Sequence, residues 1–146
     1  MKIYIGTDHA GYELKEKLKE FLSSNGHDVV DCGANVFDQN DDYPDFIRST
    51  AEAVAKDDEC VGIIFGGSGQ GEAIVANRVR GVRCTVYYGG PTEIITLSRE
   101  HNDANMLSFG ARFLSVDEAK NAVKLWLDTK FSEDERHKRR ISKIDM

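Results

Sequence analysis

A carboxylic acid stands directly after a glycine-rich stretch in the middle of the chain. The apolar run Val61–Phe65 leads into the sequence GGSGQG at residues 66–71, and Glu72 follows. Glycines allow successive backbone N–H groups to converge on one point, and a helix N-terminus adds partial positive charge there. This stretch, called the glycine loop below, therefore predicts an anion site, with the carboxylate of Glu72 unexpectedly at its edge.

The glycine loop departs from both common nucleotide-binding motifs. Gly66 and Gly71 have the spacing of a P-loop, but Glu72 and Ala73 occupy the positions that require Lys and Ser or Thr. Against the dinucleotide fingerprint, Glu72 takes the place of the third glycine. The alternative is a plain tight turn in which Glu72 is a first-turn carboxylate favoured by the helix dipole. This stretch alone leaves both interpretations open.

Three further groups of polar residues have types and spacings suited to chemistry. Asp8 and His9 could transfer protons or contact an anion, or else Asp8 caps a helix and His9 is a surface residue. The run HNDAN at residues 101–105 is either catalytic or a hydrogen-bonded turn rich in Asn and Asp. Arg136 and Arg140 are spaced to share one helix face and bind a phosphate, although such charged tails are usually solvated.

Apolar periodicity and turn residues divide the chain into alternating strands and helices. The expected strands lie near residues 2–7, 29–32, 61–65, 82–87 and 105–109, and the expected helices near 12–25, 44–56, 71–79, 91–99 and from 116 onward. The sequence SVDE at residues 115–118 matches a capping box that opens the last helix. The alternation predicts an α/β fold: a Rossmann-like three-layer α/β/α sandwich with a five-stranded parallel sheet, in one domain over residues 1–146.

The predicted topology places these groups at two edges of the sheet. Ligands of such folds bind beyond the carboxyl ends of the strands. Asp8 and His9 follow the first strand and the glycine loop follows the third, so both belong to that edge. His101 precedes a strand and therefore belongs to the opposite edge. If His101 acts on the same substrate, we expect it to come from the second subunit of a dimer.

Composition excludes several classes of protein. The 146 residues are 40% apolar and 30% charged, which is typical of a globular domain. The net charge of −6 argues against nucleic-acid binding. No run has membrane-spanning length and no signal-peptide pattern precedes the first strand, so we expect a cytoplasmic protein. Cys32, Cys60 and Cys84 lack metal-binding spacing and are expected to be reduced core thiols, with no metal site.

Five stretches of the chain resemble the type B ribose-5-phosphate isomerases and the related galactose-6-phosphate isomerase subunits. They are GTDHAG (residues 6–11), DYP (42–44), GGSGQGE (66–72) with AN (76–77), SREHNDAN (98–105), and Arg136-His137 with Arg140. The resemblance spans nearly the whole chain. It implies the interconversion of ribose 5-phosphate and ribulose 5-phosphate through a cis-enediol, in the pentose phosphate pathway, without metal or other cofactor.

The resemblance also implies individual roles. Glu72 would be the base, backbone N–H groups of the glycine loop would hold the enediolate oxygen, and His101, assisted by Asp8, would open the sugar ring. The implied catalytic residues are Asp8, Ser68, Glu72 and His101. The implied substrate contacts are Asp8, His9, Tyr43, Gly67, Ser68, Gly69, Gln70, Gly71, Asn102, Arg112, Arg136 and Arg140, of which His9 and the three arginines would bind the phosphate. The tail, from about residue 131 to 146, would complete the phosphate site.

Family members are dimers or tetramers of dimers whose active sites use both subunits, so the resemblance implies a homodimer or a tetramer. One branch of the family has its base as a Cys at the position of Gly66, whereas this chain matches the branch with the sequence GGSGxGE and therefore Glu72 as base. A nearby helix N-terminus would favour ionised Glu72 and burial would oppose it; the sequence leaves that balance open.

Two alternatives remain at this level. The first is a six-carbon substrate, allose 6-phosphate or galactose 6-phosphate. The galactose enzymes need two different subunits, whereas this chain carries Glu72, His101 and both tail arginines itself, which favours the pentose phosphate. The second is a non-catalytic phosphosugar- or nucleotide-binding module, which would need the glycine loop but not the acid–base residues. The polar loop at residues 33–42 matches no motif.

Overall fold

A parallel β-sheet of five strands forms the centre of the computed structural model, which describes residues 1–146. The strand order is β2-β1-β3-β5-β4. The strands are β1 (Lys2–Thr7), β2 (Asp28–Asp31), β3 (Cys60–Gly66), β4 (Cys84–Tyr87) and β5 (Met106–Gly110). Helices cover both faces of this sheet, so the predicted three-layer α/β/α sandwich is confirmed.

Six α-helices connect or follow the strands. They are α1 (Tyr12–Ser24), α2 (Tyr43–Ala55), α3 (Gln70–Ala76), α4 (Glu93–Glu100), α5 (Val116–Asp128) and α6 (Glu135–Ile141). Single-turn 3₁₀ helices, His9–Gly11 and Ala111–Phe113, follow β1 and β5. The capping box predicted at Ser115 and Glu118 is present at the start of α5. No helix has both the length and the apolar character needed to cross a membrane.

Most predicted element boundaries agree with the structure to within one or two residues, but α3 ends earlier than expected. It stops at Ala76 rather than Val79, and the chain continues in tight turns in which the Arg78 N–H donates to the Val75 carbonyl. The Asn77 side chain bonds both the N–H and the carbonyl of Cys84. This side chain ties the end of α3 to the start of β4, which begins two residues later than predicted.

Apolar side chains that point alternately to the two faces of the sheet fill two separate hydrophobic cores. Ile63 and Phe65 of β3 point to the face covered by α1 and α5, where Trp126 is fully buried. Ile64 points to the opposite face, where Ile47 of α2 packs. Successive side chains of a strand point to opposite faces, so a continuous apolar strand supplies both cores.

The strand order fixes the place where a ligand can bind. The chain runs from β1 outward to β2 on one side, whereas β3 lies on the other side of β1. The crevice between the carboxyl ends of β1 and β3 is therefore the topological switch point, where open α/β sheets bind ligands. Asp8 and His9 follow β1 on one side of this crevice, and the glycine loop follows β3 on the other side.

Candidate active site

The glycine loop is held from below by the sheet. Gly69 has φ of +78°, which favours glycine, and serves as the N-cap of α3. The buried Ser108 hydroxyl of β5 donates to the Gly69 carbonyl at 2.6 Å. The Ser68 hydroxyl accepts from the Gln70 N–H at 3.3 Å. These contacts fix the loop backbone at the carboxyl edge of the sheet, where it was predicted.

Glu72 lies in the first turn of α3 and turns its carboxylate back onto the glycine loop. Only 5% of the residue is exposed. A β-carbon placed on Gly66 would overlap both carboxylate oxygens of Glu72. The side chain therefore occupies the space that the missing side chain of Gly66 leaves, between the end of β3 and the start of α3.

Burial decides the protonation behaviour of Glu72. Removal from water raises the pKa of its carboxyl group, a backbone hydrogen bond within Glu72 lowers it, and the negative charge of Asp8 raises it again. The net result is a pKa above the ordinary value for Glu. The sequence left the balance between helix N-terminus and burial open, and in the structure burial dominates. A carboxylate with a raised pKa is a stronger base than an exposed one.

Asp8 combines a structural role with a position beside Glu72. Its carboxylate accepts from the Ala10 N–H at 2.9 Å and so caps the short 3₁₀ helix, as one of the two interpretations of the sequence predicted. Only 6% of the residue is exposed. The buried Thr7 hydroxyl donates to the carbonyls of Asp8 and Phe65, at 2.9 and 3.0 Å, and so joins the ends of β1 and β3. Two carboxyl groups thus line one crevice.

His9 is paired with an acid that sequence reasoning missed. Its Nδ1 lies 2.7 Å from Oδ1 of Asp41, and its backbone N–H donates to the same oxygen at 3.1 Å. The hydrogen bond to Asp41 is the largest influence on the pKa of His9 and raises it, although partial burial and Arg112 act in the opposite direction. The only signal in the sequence was an acid in an unassigned polar loop, just before the Tyr43-Pro44 helix start.

Tyr43 and Arg112 complete the carboxyl-edge cluster. The ring and hydroxyl of Tyr43, at the start of α2, lie over Gly71, where an added β-carbon would be 2.9 Å from the hydroxyl oxygen. The guanidinium of Arg112 lies beside Gly67, whose carbonyl accepts from the Arg112 backbone N–H at 3.1 Å. Two residues that only the family resemblance had singled out thus flank the glycine loop, and Arg112 brings a positive charge next to it.

His101 lies at the opposite edge of the sheet, as its place before β5 predicted. It caps the end of α4, and the chain then turns at Asp103, which has φ of +42°, into the amino end of β5. Arg83 donates to the carbonyls of Asn102 and Asp103, at 3.0 and 2.9 Å. Arg99 donates to the carboxylate of Asp103 at 3.0 Å. The hydrogen-bonded turn is therefore present, and it leaves His101 and Asn102 free of side-chain hydrogen bonds.

The charged tail joins this second edge. Its residues Glu135–Ile141 form α6, as the spacing of Arg136 and Arg140 allowed, and this helix buries His137 against the ring of His101, with ring centroids 4.3 Å apart and nearly parallel. The side chains of Arg136 and Arg140 are exposed on α6, one turn apart. Within one chain, the candidate residues thus form two separate groups, one with Glu72 and one with His101.

One group of acidic and histidine side chains is close enough to suit a metal ion. Ligand atoms of Asp8, His9 and Asp41 lie within 4.8 Å of one another. The capping bond to Ala10 and the two bonds between His9 and Asp41 already hold these three side chains in place, through one oxygen of each carboxylate. The cysteines are free thiols, with Cys60 and Cys84 buried as expected and Cys32 only half-buried. We assign no metal to the site.

Comparison with known proteins assigns the chain to a family. Residues 3–144 match the family described as Ribose/Galactose Isomerase. The chain belongs to this isomerase family. Ribose-5-phosphate isomerase B of Mycobacterium tuberculosis (strain CDC 1551 / Oshkosh) is 44% identical over 141 residues, which cover 97% of this chain and 86% of that protein.

Solved structures agree with that assignment. Ribose-5-phosphate isomerase B from Mycoplasma genitalium, with bound ribulose-5-phosphate, superposes with a TM-score of 0.92 at 38% identity and covers 98% of this chain and 93% of that one. The enzyme from Clostridium thermocellum gives 0.92 at 43% identity, with 99% and 95% covered. The resemblance inferred from the sequence motifs is confirmed at the level of the isomerase family and its fold.

Proposed function

We propose that this chain is an aldose–ketose isomerase that interconverts ribose 5-phosphate and ribulose 5-phosphate through a cis-enediol. The observation that carries the proposal is the buried carboxyl group of Glu72, which faces the glycine loop at the switch point of the sheet. A binding module would need the loop but would gain nothing from burying an acid beside it. Membership of the isomerase family and the names of the relatives support the same reaction.

Glu72 would move the proton between C1 and C2 of the open-chain sugar. Abstraction next to a carbonyl requires a base near the carbon and hydrogen-bond donors where the negative charge develops. Backbone N–H groups from Gly67 to Gly71, with the Ser68 hydroxyl beside them, would supply those donors to the enediolate oxygen. Loss of one such donor typically costs about 3 kcal/mol of transition-state stabilisation. An oxygen that is charged only during the reaction also avoids permanent repulsion with Glu72.

The phosphate would lie away from the glycine loop, among cations. His9 and Arg112 lie at the edge that carries Glu72, and Tyr43, which lies over Gly71, and Gln70 of the loop itself would be further sugar contacts. Arg136 and Arg140 present two guanidinium groups on one face of α6, a geometry suited to a phosphate. The residues near Glu72 and the tail arginines lie at opposite edges of the sheet. Within one chain they would therefore not contact the same substrate molecule.

We therefore propose a homodimer, or a tetramer of dimers, with shared active sites. One subunit would supply Glu72, Asp8, Ser68 and His9. The other would supply His101 for ring opening, Asn102 for a sugar hydroxyl, and the tail arginines for the phosphate. The side chains of His101 and Asn102 support this arrangement, since neither forms a side-chain hydrogen bond within its own subunit while His101 stacks on His137 of the tail. The three free thiols suit a reducing compartment, and we propose a cytoplasmic location.

Turnover assays with three substrates test the proposal. Ribose 5-phosphate, allose 6-phosphate and galactose 6-phosphate would be compared under identical conditions, with the ketose product measured directly. We expect the highest kcat/KM for ribose 5-phosphate. A higher value for a six-carbon phosphate would reassign the substrate within the family. Binding of all three without turnover would instead support a phosphosugar-binding module.

A further inference from the structure

The loop at residues 33–42 delivers one acid to the site and is itself well anchored. At its start, Gly33 and Ala34 exchange backbone hydrogen bonds with Thr7 at 2.8 and 2.9 Å. The buried Lys15 ammonium donates to the Ala34 carbonyl at 2.7 Å. Near its end, the Asp41 N–H donates to the Asp38 carbonyl at 3.1 Å. The position of Asp41 is therefore fixed by backbone bonds and not by its contact with His9 alone.

The contact between Asp41 and His9 orients the imidazole ring. Oδ1 of Asp41 accepts from both the backbone N–H and Nδ1 of His9, while its Oδ2 is buried and accepts no hydrogen bond. The ring of Phe37 packs edge-on against His9, with centroids 6.3 Å apart. Because Asp41 accepts at Nδ1, that nitrogen keeps a proton in both charge states of the ring. Only the charged imidazolium then carries a second proton, at Nε2, to donate to a phosphate.

We propose that Asp41 is a positioning residue of the phosphate site, which holds His9 as an Nδ1-anchored imidazolium with Nε2–H directed at the substrate. The inference rests on the proposed function, because it assigns His9 to the sugar phosphate. It adds a residue that belongs to no recognised motif of the chain. A carboxylate behind a histidine both fixes the ring and favours its charged form, as in other sites where the second nitrogen contacts a ligand.

Three charged groups face His9 from the elements packed around it. Asp8 precedes it at the end of β1, with its Oδ2 3.9 Å from Nδ1, and Asp41 faces it from the loop. Arg112, from the 3₁₀ helix after β5, acts in the opposite direction on the pKa of His9. Since two acids outweigh one cation, His9 stays protonated to higher pH than an isolated histidine. Without Asp41, one acid and one cation would remain, and the ring would lose its proton earlier.

The test compares Asp41→Asn with the matched control Asp38→Asn. Both substitutions remove one negative charge from the same loop, but the exposed Asp38 side chain accepts only from the Asn40 N–H. We expect the KM of Asp41→Asn for ribose 5-phosphate to rise about tenfold at pH 8, because a neutral His9 would lose one charge-assisted hydrogen bond to the phosphate. At pH 5.5 we expect less than about a twofold rise, because acid favours the charged form of His9 in both proteins. Wild type measured at each pH corrects for titration of the phosphate.

Two controls separate positioning from a general structural effect. Asp38→Asn should change KM by less than about twofold at either pH, because it does not touch the ring. In a His9→Asn background, adding Asp41→Asn should change KM by less than about twofold, because the two residues act as one unit. An equal rise at pH 8 and pH 5.5, or a full effect in the absence of His9, would overturn the proposal.

NMR titration of His9 needs neither substrate nor turnover. The imidazole Cε1–H signal of His9 is assigned as the one missing from His9→Asn. We expect a titration midpoint above the ordinary histidine value of about 6.5 in wild type, and a lower midpoint in Asp41→Asn. Should Asp41→Asn fail to fold, the titration midpoint of His9 in the wild type still tests the inference. A midpoint at or below about 6.5 would refute it. A raised midpoint in a protein that turns over no sugar phosphate would refute the proposed function alone.

Discussion

The carboxylate of Glu72 lies in the space that a side chain on Gly66 would fill. A β-carbon at position 66 would overlap its oxygens, so this chain has room for a reactive group from only one of the two positions. The family branch with a Cys at that position has its base at the strand end, whereas in this chain the acidic side chain comes from the first turn of the helix. The Glu72 carboxylate can thus lie in this space only because residue 66 is a glycine.

Gly66→Ala should inactivate the protein without unfolding it. The three atoms nearest to the added methyl group all belong to the end of the flexible Glu72 side chain, so we expect the carboxylate to rotate away and the fold to persist. Displacement of a general base typically costs about 10²–10⁴-fold in rate. Measurement of kcat for ribose 5-phosphate, beside circular dichroism, tests this. A kcat within twofold of wild type would show that Glu72 need not occupy this space.

A second glycine provides the control for that substitution. Gly26 has φ of +85° and no atom within 4 Å of an added β-carbon, and it lies far along the chain from the site. Gly26→Ala should lower the free energy of unfolding by about 1 kcal/mol through backbone strain while leaving kcat unchanged. Comparison of Gly66→Ala with Gly26→Ala therefore distinguishes a loss of stability from a displacement of the Glu72 carboxylate.

Glu72→Gln should stabilise the folded protein at neutral pH. Burial raises the folded-state pKa of Glu72, so the folded state binds its proton more tightly than the unfolded state does. The stabilising contribution of the protonated acid is complete below the unfolded pKa and is lost as pH rises through the folded pKa. We therefore expect a higher Tm than wild type at pH 7, with a gap that narrows toward pH 4. Glu52→Gln, an exposed site on α2, should show no such gap.

Mixed subunits test whether sites are shared. Glu72→Gln and His101→Ala should each be nearly inactive alone, because each lacks one essential group in every site. In a random mixture of the two, half of the dimers are mixed and carry one intact site, so about a quarter of wild-type activity should return. Differently tagged subunits verify that exchange occurred. Exchange without any recovery of activity would mean that Glu72 and His101 do not meet across subunits.

The sequence predicted the parts of the site that topology controls. Parallel strands end at one edge, so the neighbourhood of Asp8, His9 and the glycine loop followed from element order alone. Asp41 was missed because its partner is 32 residues away and the loop between has no periodicity. The spacing of Arg136 and Arg140 left α6 as only one of two possibilities, because a short charged segment has little helical signal of its own. Packing of His137 on His101 stabilises it, and that contact is tertiary.

The direction of the pKa shift in Glu72 was likewise beyond the sequence. A helix N-terminus and a buried crevice act in opposite directions on a carboxyl group, and their balance depends on how completely water is excluded. In the folded protein only 5% of Glu72 is exposed, and desolvation is the largest influence. The order of strands and helices along the chain predicts the sheet edge at which a residue lies, but it does not predict how far its side chain is buried.

Turnover of ribose 5-phosphate by Glu72→Gln in D₂O is the most direct test of the account. A base that carries the proton between C1 and C2 exchanges it with solvent, so wild type should release ribulose 5-phosphate that contains deuterium. We predict that Glu72→Gln binds the substrate with an affinity within about threefold of wild type, while both kcat and deuterium incorporation fall at least about 10²-fold. Glu52→Gln should match wild type. Glu72→Gln with kcat and incorporation near wild type would contradict the assignment of Glu72 as the base.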